Sequence, residues 1–398
     1  MQVPPFSLDQ QLSEIGHDLD LVVSKVLRSG QYIGGEQVNV FEKSFAQSVG
    51  VPYSVGCNSG TDALILALRG LGIGPGDEVI TASFSFFATA EAISNVGAKP
   101  VFIDVDLNNY LIDPKLIEKA ITPATKAILP VHLFGRPVDM DAVISIANKN
   151  GLKVIEDCAQ AAGAHWNGKP VGGIGDIGCF SFFPTKNLGA AGDGGAITTH
   201  DLELAQRIRE LAVHGMPKRY FHTELGYNSR LDAIQAAILN VKLPKLPEWV
   251  EKRSEIALRY KKCLQGIPGL VTPDISFKRG ESHSWNQFVV KVENIGINNK
   301  ITSKDLVSYE LNMSKDLPNS TCRDWLKDNL FENGVSTIIY YPIPIHLQPV
   351  YKQLGYKDCN LPHTEILSSQ VLSLPIFPEL TVNQQDHVVS TVISLLKK

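Results

Sequence analysis

The sequence predicts an α/β protein with a mainly parallel sheet flanked by helices, followed by a smaller α+β domain at the C-terminus. Short runs of β-forming residues alternate with helical patterns between residues 53 and 199, and the connections between them are short. Beyond Leu243 the periodic segments become fewer and the polar stretches longer. We therefore expect a large domain over 1–245 and a small domain over 246–398, with the N-terminal helix against the small domain.

The first 72 residues predict two helices, a strand and a third helix. Apolar residues recur near a period of 3.6 between residues 8 and 29, and a second short helix is predicted over Asn39–Gly50. The strand Tyr53–Cys57 leads into Asn58–Gly72, where a polar, glycine-containing turn opens directly into an apolar helix. Such a helix N-terminus presents free backbone N–H groups to an anion such as phosphate.

From residue 78 onwards, predicted strands and helices alternate. The predicted strands are Glu78–Thr81, Pro100–Val105, Lys126–Val131, Lys153–Glu156, Gly178–Phe182 and Ala196–Thr199. The predicted helices are Phe87–Val96, Pro114–Ile121, Met140–Asn150, Leu202–His214 and Ser229–Val241. This alternation is typical of strands that run parallel and are joined by helical crossovers.

The C-terminal third is predicted to hold fewer elements. Two prolines, Pro244 and Pro247, mark the predicted domain boundary ahead of a charged helix. The predicted elements are the helix Glu248–Leu264, the strand Gln287–Val292, the helix Arg323–Asn333, the strand Ser336–Tyr340 and the helix Thr381–Leu396. Between them, Asn294–Ser320 is a polar insertion, which a surface loop accommodates at little cost in stability.

The composition argues against several classes of protein. The formal net charge is -4 and no long Lys/Arg run is present, so neither nucleic acid nor an anionic membrane is an expected partner. The six cysteines form no C-x-x-C pair, which argues against a metal site and favours reduced thiols in a cytoplasmic protein. No signal peptide is visible, and the weakly charged segment Val79–Ala98 carries Glu91, so no membrane span is expected.

A glycine-rich segment, Cys179–Ala196, contains Lys186 as its only positive charge. Its glycines let the backbone pass close to a bound group. A lysine buried beside a ligand can lose its proton and attack a carbonyl carbon. The alternative is a surface lysine in a glycine-rich loop, and this segment alone favours that alternative.

An acidic residue, Asp157, follows the predicted strand Lys153–Glu156. Ligands of open α/β sheets collect at the carboxyl ends of strands, although an aspartate at such a place can also be an ordinary helix N-cap. Taken together, the turn Asn58–Thr61, the aromatic loop Phe84–Phe87, Asp157 and Lys186 match the needs of pyridoxal phosphate. That cofactor requires an anion site, a flat partner for its ring, a carboxylate at the ring nitrogen and a lysine that forms a Schiff base.

Eight segments carry a family resemblance that covers nearly the whole chain: GQYIGGEQVNVFE, NSGTDALILAL, GDEVITASFSFFATAEAI, KAILPVHLFGRPVDMDAV, VIEDCAQAAGA, FSFFPTKNLGAAGDGGAI, LGYNSRLDAIQAAIL and YYPIPIHLQPVY. In this order they resemble the DegT/DnrJ/EryC1/StrS family of sugar aminotransferases. The resemblance implies the type I pyridoxal-phosphate aminotransferase fold. It also implies a homodimer whose active sites are shared between subunits. The polar insertion at 294–320 departs from the family's pattern.

The resemblance also implies roles for individual residues. Lys186 would form the Schiff base and carry the proton, and Asp157 would partner the ring nitrogen. The other implied cofactor contacts are Gly60, Thr61 and Ser181 at the phosphate, Phe86 on the ring, Gln160 at the ring hydroxyl and Asn228 at the neighbouring subunit's phosphate. Without the family, Phe86 is equally a core aromatic, and Asn228 is equally a helix N-cap before Ser229.

Three candidate substrate contacts come from two further segments that match regions facing the nucleotide sugar in relatives. Arg219 and Tyr220 lie in HGMPKRYFH, and His346 lies in YYPIPIHLQ. For a single histidine, a satisfied structural role is the alternative. No metal ligand set is expected.

The reaction that the resemblance implies is a ping-pong transamination through an aldimine. An amino acid such as glutamate would donate the amino group to a keto sugar, most similar to 3-keto sugars linked to thymidine or uridine diphosphate. Relatives that dehydrate sugars on pyridoxamine phosphate carry histidine in place of the lysine, so Lys186 argues against that activity. The competing hypotheses are amination of a cyclitol, a non-catalytic sensor that binds pyridoxal phosphate, and a scaffold protein.

Overall fold

The computed structural model describes residues 1–293, 321–356 and 359–397, so the predicted insertion at 294–320 lies outside the described residues. The helices are α1 Asp9–Ser29, α2 Glu36–Val49, α3 Gly60–Gly70, α4 Ala88–Asn95, α5 Pro114–Ala120, α6 Met140–Asn150, α7 Leu202–Leu211, α8 Ala233–Lys242, α9 Leu246–Leu264, α10 Cys322–Glu332, α11 Pro349–Gln353, α12 Pro362–Gln370 and α13 Val382–Leu396. The strands are β1 Tyr53–Cys57, β2 Glu78–Ala82, β3 Lys99–Ile103, β4 Thr125–Leu129, β5 Lys153–Asp157, β6 His165–Trp166, β7 Lys169–Pro170, β8 Ile177–Ser181, β9 Gly195–Thr199, β10 Leu270–Val271, β11 Phe288–Val292 and β12 Val371–Leu374.

A seven-stranded sheet with the order β1-β9-β8-β5-β4-β2-β3 is the framework of the first part of the chain. Neighbouring strands from β8 to β3 pair in parallel, whereas β9 pairs antiparallel with both β1 and β8. Two successive residues of β8 pack into different apolar clusters. Cys179 packs into a cluster that includes residues of α3, whereas Phe180 packs into a cluster that includes residues of α2. Helices therefore cover both faces of the sheet, and the predicted mainly parallel α/β architecture is confirmed.

The carboxyl ends of the parallel strands come together at one edge of this sheet. Strand β5 ends at Asp157 and β8 ends at Ser181, while β1 leads into the turn before α3. Gly195, at the start of β9, pairs with both Cys57 and Ser181, which aligns the ends of β1 and β8. A Cβ atom at Gly195 would overlap the carbonyl oxygen of Ser59, so this position requires glycine.

A second apolar core surrounds the antiparallel sheet β10-β11-β12. It buries Tyr260 from α9, Leu326 from α10 and Val388 from α13. Val3, close to the N-terminus, also packs into it. This arrangement agrees with the predicted smaller α+β unit, while the division at residues 245 and 246 stays a prediction. Helix α1 itself packs through Val26 on Ala233 of α8.

Two predictions of local structure were wrong. Ser336–Tyr340 is not a strand, because Val335 bridges Val3 whereas Ile338 bridges Ser373, so the segment crosses between two partners. The helix predicted over Ser229–Val241 begins only at Ala233, with Asp232 as its N-cap. Asn228 is therefore not a helix N-cap. None of the helices in the described part of the chain combines the length and apolarity needed to cross a membrane.

Candidate active site

The N-terminus of α3 forms an anion cradle. Ser59 is its N-cap, and its side chain accepts a hydrogen bond from the Asp62 N–H at 3.1 Å. Within the described residues, no protein acceptor takes the N–H groups of Gly60 and Thr61. Gly60 packs directly against β8, since a Cβ atom there would lie 2.6 Å from the Cβ of Ser181. Two free N–H groups, the helix dipole and a neighbouring hydroxyl thus favour a phosphate at this point.

Asp157 is buried at the end of β5, with 4% of its surface exposed. Its Oδ2 accepts a hydrogen bond from Thr89 Oγ1 at 2.9 Å, and its Oδ1 accepts one from the Ala159 N–H at 3.1 Å. Burial raises the pKa of Asp157, against the effect of these hydrogen bonds. Because residues 158–164 form turns, the helix N-cap alternative is wrong. A buried carboxylate of this kind fits a cationic ring nitrogen.

Lys186 lies in a compact loop closed by two backbone hydrogen bonds. The Lys186 N–H donates to Phe183 O at 2.8 Å, and the Ala190 N–H donates to Phe182 O at 2.7 Å. Burial lowers the pKa of Lys186 from 10.5 to about 8, while the negative charge of Asp157 acts in the opposite direction. This amine is far more often unprotonated near neutral pH than a surface lysine, which makes it a nucleophile.

Gln160 and Phe86 both lie next to the side chain of Tyr341. Gln160 accepts a hydrogen bond from the Phe134 N–H at 2.7 Å and donates one to the Tyr341 hydroxyl at 2.8 Å. Phe86 is 57% exposed, and its ring centroid is 6.1 Å from that of Tyr341. Phe86 is therefore not a core aromatic, and its ring is accessible to a flat ligand.

A buried network lies next to Asp157 in the chain and supports its backbone. The carboxylate of Glu156 accepts hydrogen bonds from His132 Nε2 at 3.0 Å and from the N–H groups of residues 172, 174 and 175. Burial alone would raise the pKa of Glu156, but these hydrogen bonds lower it. The backbone N–H of His132 donates a hydrogen bond to the backbone carbonyl oxygen of Asp157 at 3.0 Å. Cys158 lies close to the side chains of His132 and Glu156. The polar atoms of those two side chains already have protein partners, so this network is structural.

The four remaining candidates lie in different surroundings. Arg219 and Tyr220 are exposed, and the guanidinium carbon of Arg219 lies 5.0 Å above the ring of Tyr220. Asn228 is also exposed. His346 has no exposed surface, and its Nδ1 is 2.7 Å from Ser83 Oγ. A fully buried side chain does not contact a substrate in this conformation, while the Nε2 of His346 is buried without a hydrogen-bond partner in the described residues, so its substrate role stays a prediction.

Sequence reasoning missed Thr89 and Tyr341 as parts of this site. Thr89 is a fully buried polar residue in α4, three positions after Phe86, and its hydroxyl also bonds to Ser85 at 2.8 Å. A polar side chain on the buried face of a short helix was the one signal available. Tyr341 gives no such signal, because only the fold brings it to Gln160 across 181 sequence positions.

Comparison with known proteins gives full-length matches. The profile of the DegT/DnrJ/EryC1/StrS aminotransferase family matches residues 13–308 and 297–393. A Geobacillus stearothermophilus protein named pleiotropic regulatory protein is 44% identical over 98% of both chains. The UDP-N-acetyl-3-dehydro-alpha-D-glucosamine 3-aminotransferase of Acidithiobacillus ferrooxidans is 43% identical over 98% of this chain and 97% of that enzyme.

Solved structures match equally broadly. The crystal structure of S. venezuelae DesV in complex with a ketimine intermediate is 40% identical, with a TM-score of 0.90 over 100% of this chain and 99% of DesV. The structure of NtdA from Bacillus subtilis with bound cofactor PMP is 34% identical, with a TM-score of 0.87 over 100% of this chain and 86% of NtdA. Because the family profile and these relatives match along nearly its whole length, the chain belongs to the DegT/DnrJ/EryC1/StrS aminotransferase family.

Proposed function

We propose that this aminotransferase moves an amino group from an amino acid such as glutamate to the keto group of a nucleotide-linked sugar. The observation that carries the proposal is the pair formed by Lys186 and Asp157, a lysine with a lowered pKa and a buried carboxylate that interact electrostatically. The Acidithiobacillus ferrooxidans relative is named for a 3-dehydro sugar linked to UDP. That name supports a 3-keto sugar attached to thymidine or uridine diphosphate as the substrate of this protein.

Pyridoxal phosphate, when bound, supplies an electron sink for the carbon that loses its proton. Lys186 Nζ would bind the aldehyde carbon and, once released, would move the proton at the substrate carbon. The Asp157 carboxylate would keep the ring nitrogen protonated. Thr89 fixes the orientation of that carboxylate through its 2.9 Å hydrogen bond.

The other cofactor contacts belong to the same proposal. The N–H groups of Gly60 and Thr61 and the Ser181 hydroxyl would hold the phosphate. The exposed side chain of Phe86 would lie against the cofactor ring. The Gln160 amide, which already donates to Tyr341, would bind the ring hydroxyl.

A second copy of the chain completes the site in this proposal. Tyr220, Phe221 and Leu225 are 80%, 60% and 87% exposed, which is typical of a surface that another protein covers. Asn228 follows this apolar segment and would reach the partner's phosphate. Arg219 and Tyr220 would face the nucleotide sugar at the same interface. The pattern of reduced cysteines supports a cytoplasmic location.

A panel of keto-sugar nucleotides tests the substrate class. The purified protein is incubated with pyridoxal phosphate, glutamate and either one of these nucleotides or a keto cyclitol, and the product is identified by its mass. We expect amination of a 3-keto sugar linked to thymidine or uridine diphosphate. Amination of a keto cyclitol alone would support the cyclitol hypothesis, and cofactor binding without any amino transfer would support a sensor.

Gly60→Ala is expected to weaken cofactor binding about tenfold, because the added methyl group would displace Ser181 from the anion cradle. Equilibrium dialysis against pyridoxal phosphate measures the dissociation constant. Gly16→Ala is the matched control, since a Cβ atom at Gly16 meets no atom within 4 Å. Equal affinities of the two variants would contradict the placement of the phosphate.

The rate at which pyridoxal phosphate attaches to the cofactor-free protein should depend on pH through Lys186. Only the unprotonated amine attacks, so the rate should rise about tenfold per pH unit below pH 8 and level off above it, because the pKa of Lys186 is about 8. In Asp157→Asn the midpoint should move to lower pH, since the carboxylate that raises this pKa is gone. Stopped-flow absorbance measures both profiles. A rate that keeps rising to pH 10 would refute the prediction.

A further inference from the structure

Side chains from other elements hold the loop that carries Lys186, here called the lysine loop (residues 182–190), at one end and on either side of Lys186. At its far end, Lys242 Nζ donates a hydrogen bond to the Gly189 carbonyl at 2.9 Å. Gly189 itself has no room for a side chain, because a Cβ atom there would lie 2.5 Å from the Pro184 carbonyl oxygen. Lys242 is the last residue of α8 and is only 4% exposed.

The middle of the lysine loop, on either side of Lys186, is held by an amide pair. Asn286 Nδ2 donates to the Thr185 carbonyl at 3.4 Å and to Asn187 Oδ1 at 3.1 Å. In return, Asn187 Nδ2 donates to the Ser284 carbonyl at 2.7 Å. These contacts connect the residues on either side of Lys186 to the segment that precedes β11.

Arg253 fixes the backbone from which Asn286 reaches the lysine loop. Its Nη1 lies 3.1 Å from the carbonyl oxygens of Trp285 and Ile376 and 3.4 Å from that of Asn286. Arg253 lies in α9 and is 2% exposed. One buried cation therefore supports the loop at Gly189 and the other supports it beside Lys186, Lys242 directly and Arg253 through Asn286.

The negative charge of one carboxylate, Glu379, acts on both buried cations. Burial lowers the pKa of Lys242 to about 8 and that of Arg253 to about 10, and in each case the charge of Glu379 acts in the opposite direction. Burial also raises the pKa of Glu379, and the charge of Arg253 opposes that rise. Burying a cation without a counter-charge is strongly unfavourable.

The space between these groups is small and polar. Arg253, Glu379, Gly189 and Lys186 line one cavity of about 10 Å³ together with Gln11 of α1. Arg253 Nε is a buried donor, and Gln11 Oε1 and Glu379 Oε1 are buried acceptors, without protein partners in the described residues. One water molecule needs about this much space.

We propose that Lys242, Arg253 and Glu379 are positioning residues for Lys186. Lys242 fixes the end of the lysine loop at Gly189, Arg253 supports through Asn286 the residues on either side of Lys186, and the charge of Glu379 acts on both cations, so that together they hold the amine in place. This inference rests on the proposed role of Lys186. Lys242 lies in the predicted large domain, whereas Arg253 and Glu379 lie in the predicted small domain.

The test replaces Lys242 by methionine, which keeps the length of the apolar stem and removes both the donor and the charge. Amide hydrogen exchange at Lys186 and Ala190 should accelerate about tenfold, and kcat should fall about tenfold while KM for the keto-sugar nucleotide changes less than about twofold. Lys245→Met is the matched control, because Lys245 is exposed three residues further along, and it should change none of these quantities.

Glu379→Gln is the second variant and keeps the shape of the side chain. It should accelerate exchange of the same two amides, and its effect on kcat should not add to that of Lys242→Met, since both act on one cluster. Wild-type exchange and kcat in either folded variant would overturn the proposal. Exchange is measured without substrate, so a wild-type protein that fails to transfer amino groups would contradict the proposed function and leave this test intact.

Discussion

Lys186→Ala is expected to lower kcat by about 10³-fold or more and to abolish covalent attachment of pyridoxal phosphate. The reason is that this single amine both binds the cofactor aldehyde and carries the proton, and its lowered pKa of about 8 suits it to both tasks. Borohydride reduction followed by peptide mass spectrometry identifies the modified lysine, and steady-state kinetics measure the loss of turnover.

The exposed Lys245 provides the control for this experiment, because Lys245→Ala removes a lysine of the same chain without touching the lysine loop. We expect the control to keep wild-type kcat and to leave the cofactor on the peptide that contains Lys186. A Lys186→Ala protein that retains both turnover and the visible absorbance of the bound cofactor would contradict the assignment.

Asp157→Asn is expected to lower kcat by about 10² to 10³-fold while the protein still binds the cofactor. The amide has nearly the same shape: its oxygen can still accept the hydrogen bond of the Ala159 N–H, and its NH2 group can donate to the Thr89 hydroxyl in place of the bond that Asp157 accepts. It carries no charge, however, to hold a proton on the ring nitrogen. Kinetics with saturating cofactor separate this loss from a loss of affinity.

A cofactor analogue distinguishes the electrostatic role of Asp157 from a structural one. Pyridoxal phosphate that is methylated at the ring nitrogen carries a permanent positive charge and needs no carboxylate to keep it. The analogue should therefore raise the activity of Asp157→Asn relative to unmodified cofactor. If Asp157→Asn keeps wild-type kcat, or if the analogue gives no gain, Asp157 does not act through the charge of the ring.

The features that the sequence predicts well are those written in local patterns. The alternation of β-rich and helical segments predicts the parallel sheet, and parallel strands necessarily bring their carboxyl ends to one edge. The polar turn before α3 predicts an anion site because the free N–H groups belong to the helix itself. For these reasons the turn before α3 and Asp157 could be assigned to one cofactor site from local patterns, whereas the role of Ser181 came from the family resemblance.

Features that depend on contacts between distant segments could not be predicted. Thr89 acts on Asp157 only because α4 packs against the end of β5, and Tyr341 reaches Gln160 from far along the chain. His346 is similar, since its burial beneath Ser83 follows from packing that no local pattern encodes. The segment Ser336–Tyr340 has the composition of a strand, but its bridges to two different partners prevent it from forming one.

Transfer of isotopic nitrogen tests the central claim most directly. The protein is incubated with pyridoxal phosphate and glutamate labelled with ¹⁵N at the amino group, the free amino acids are removed, and a 3-keto sugar linked to thymidine or uridine diphosphate is added. The account predicts an amino-sugar nucleotide that carries one ¹⁵N atom from the wild-type protein and none from Lys186→Ala. Glutamate that loses its label without any labelled sugar product would contradict it.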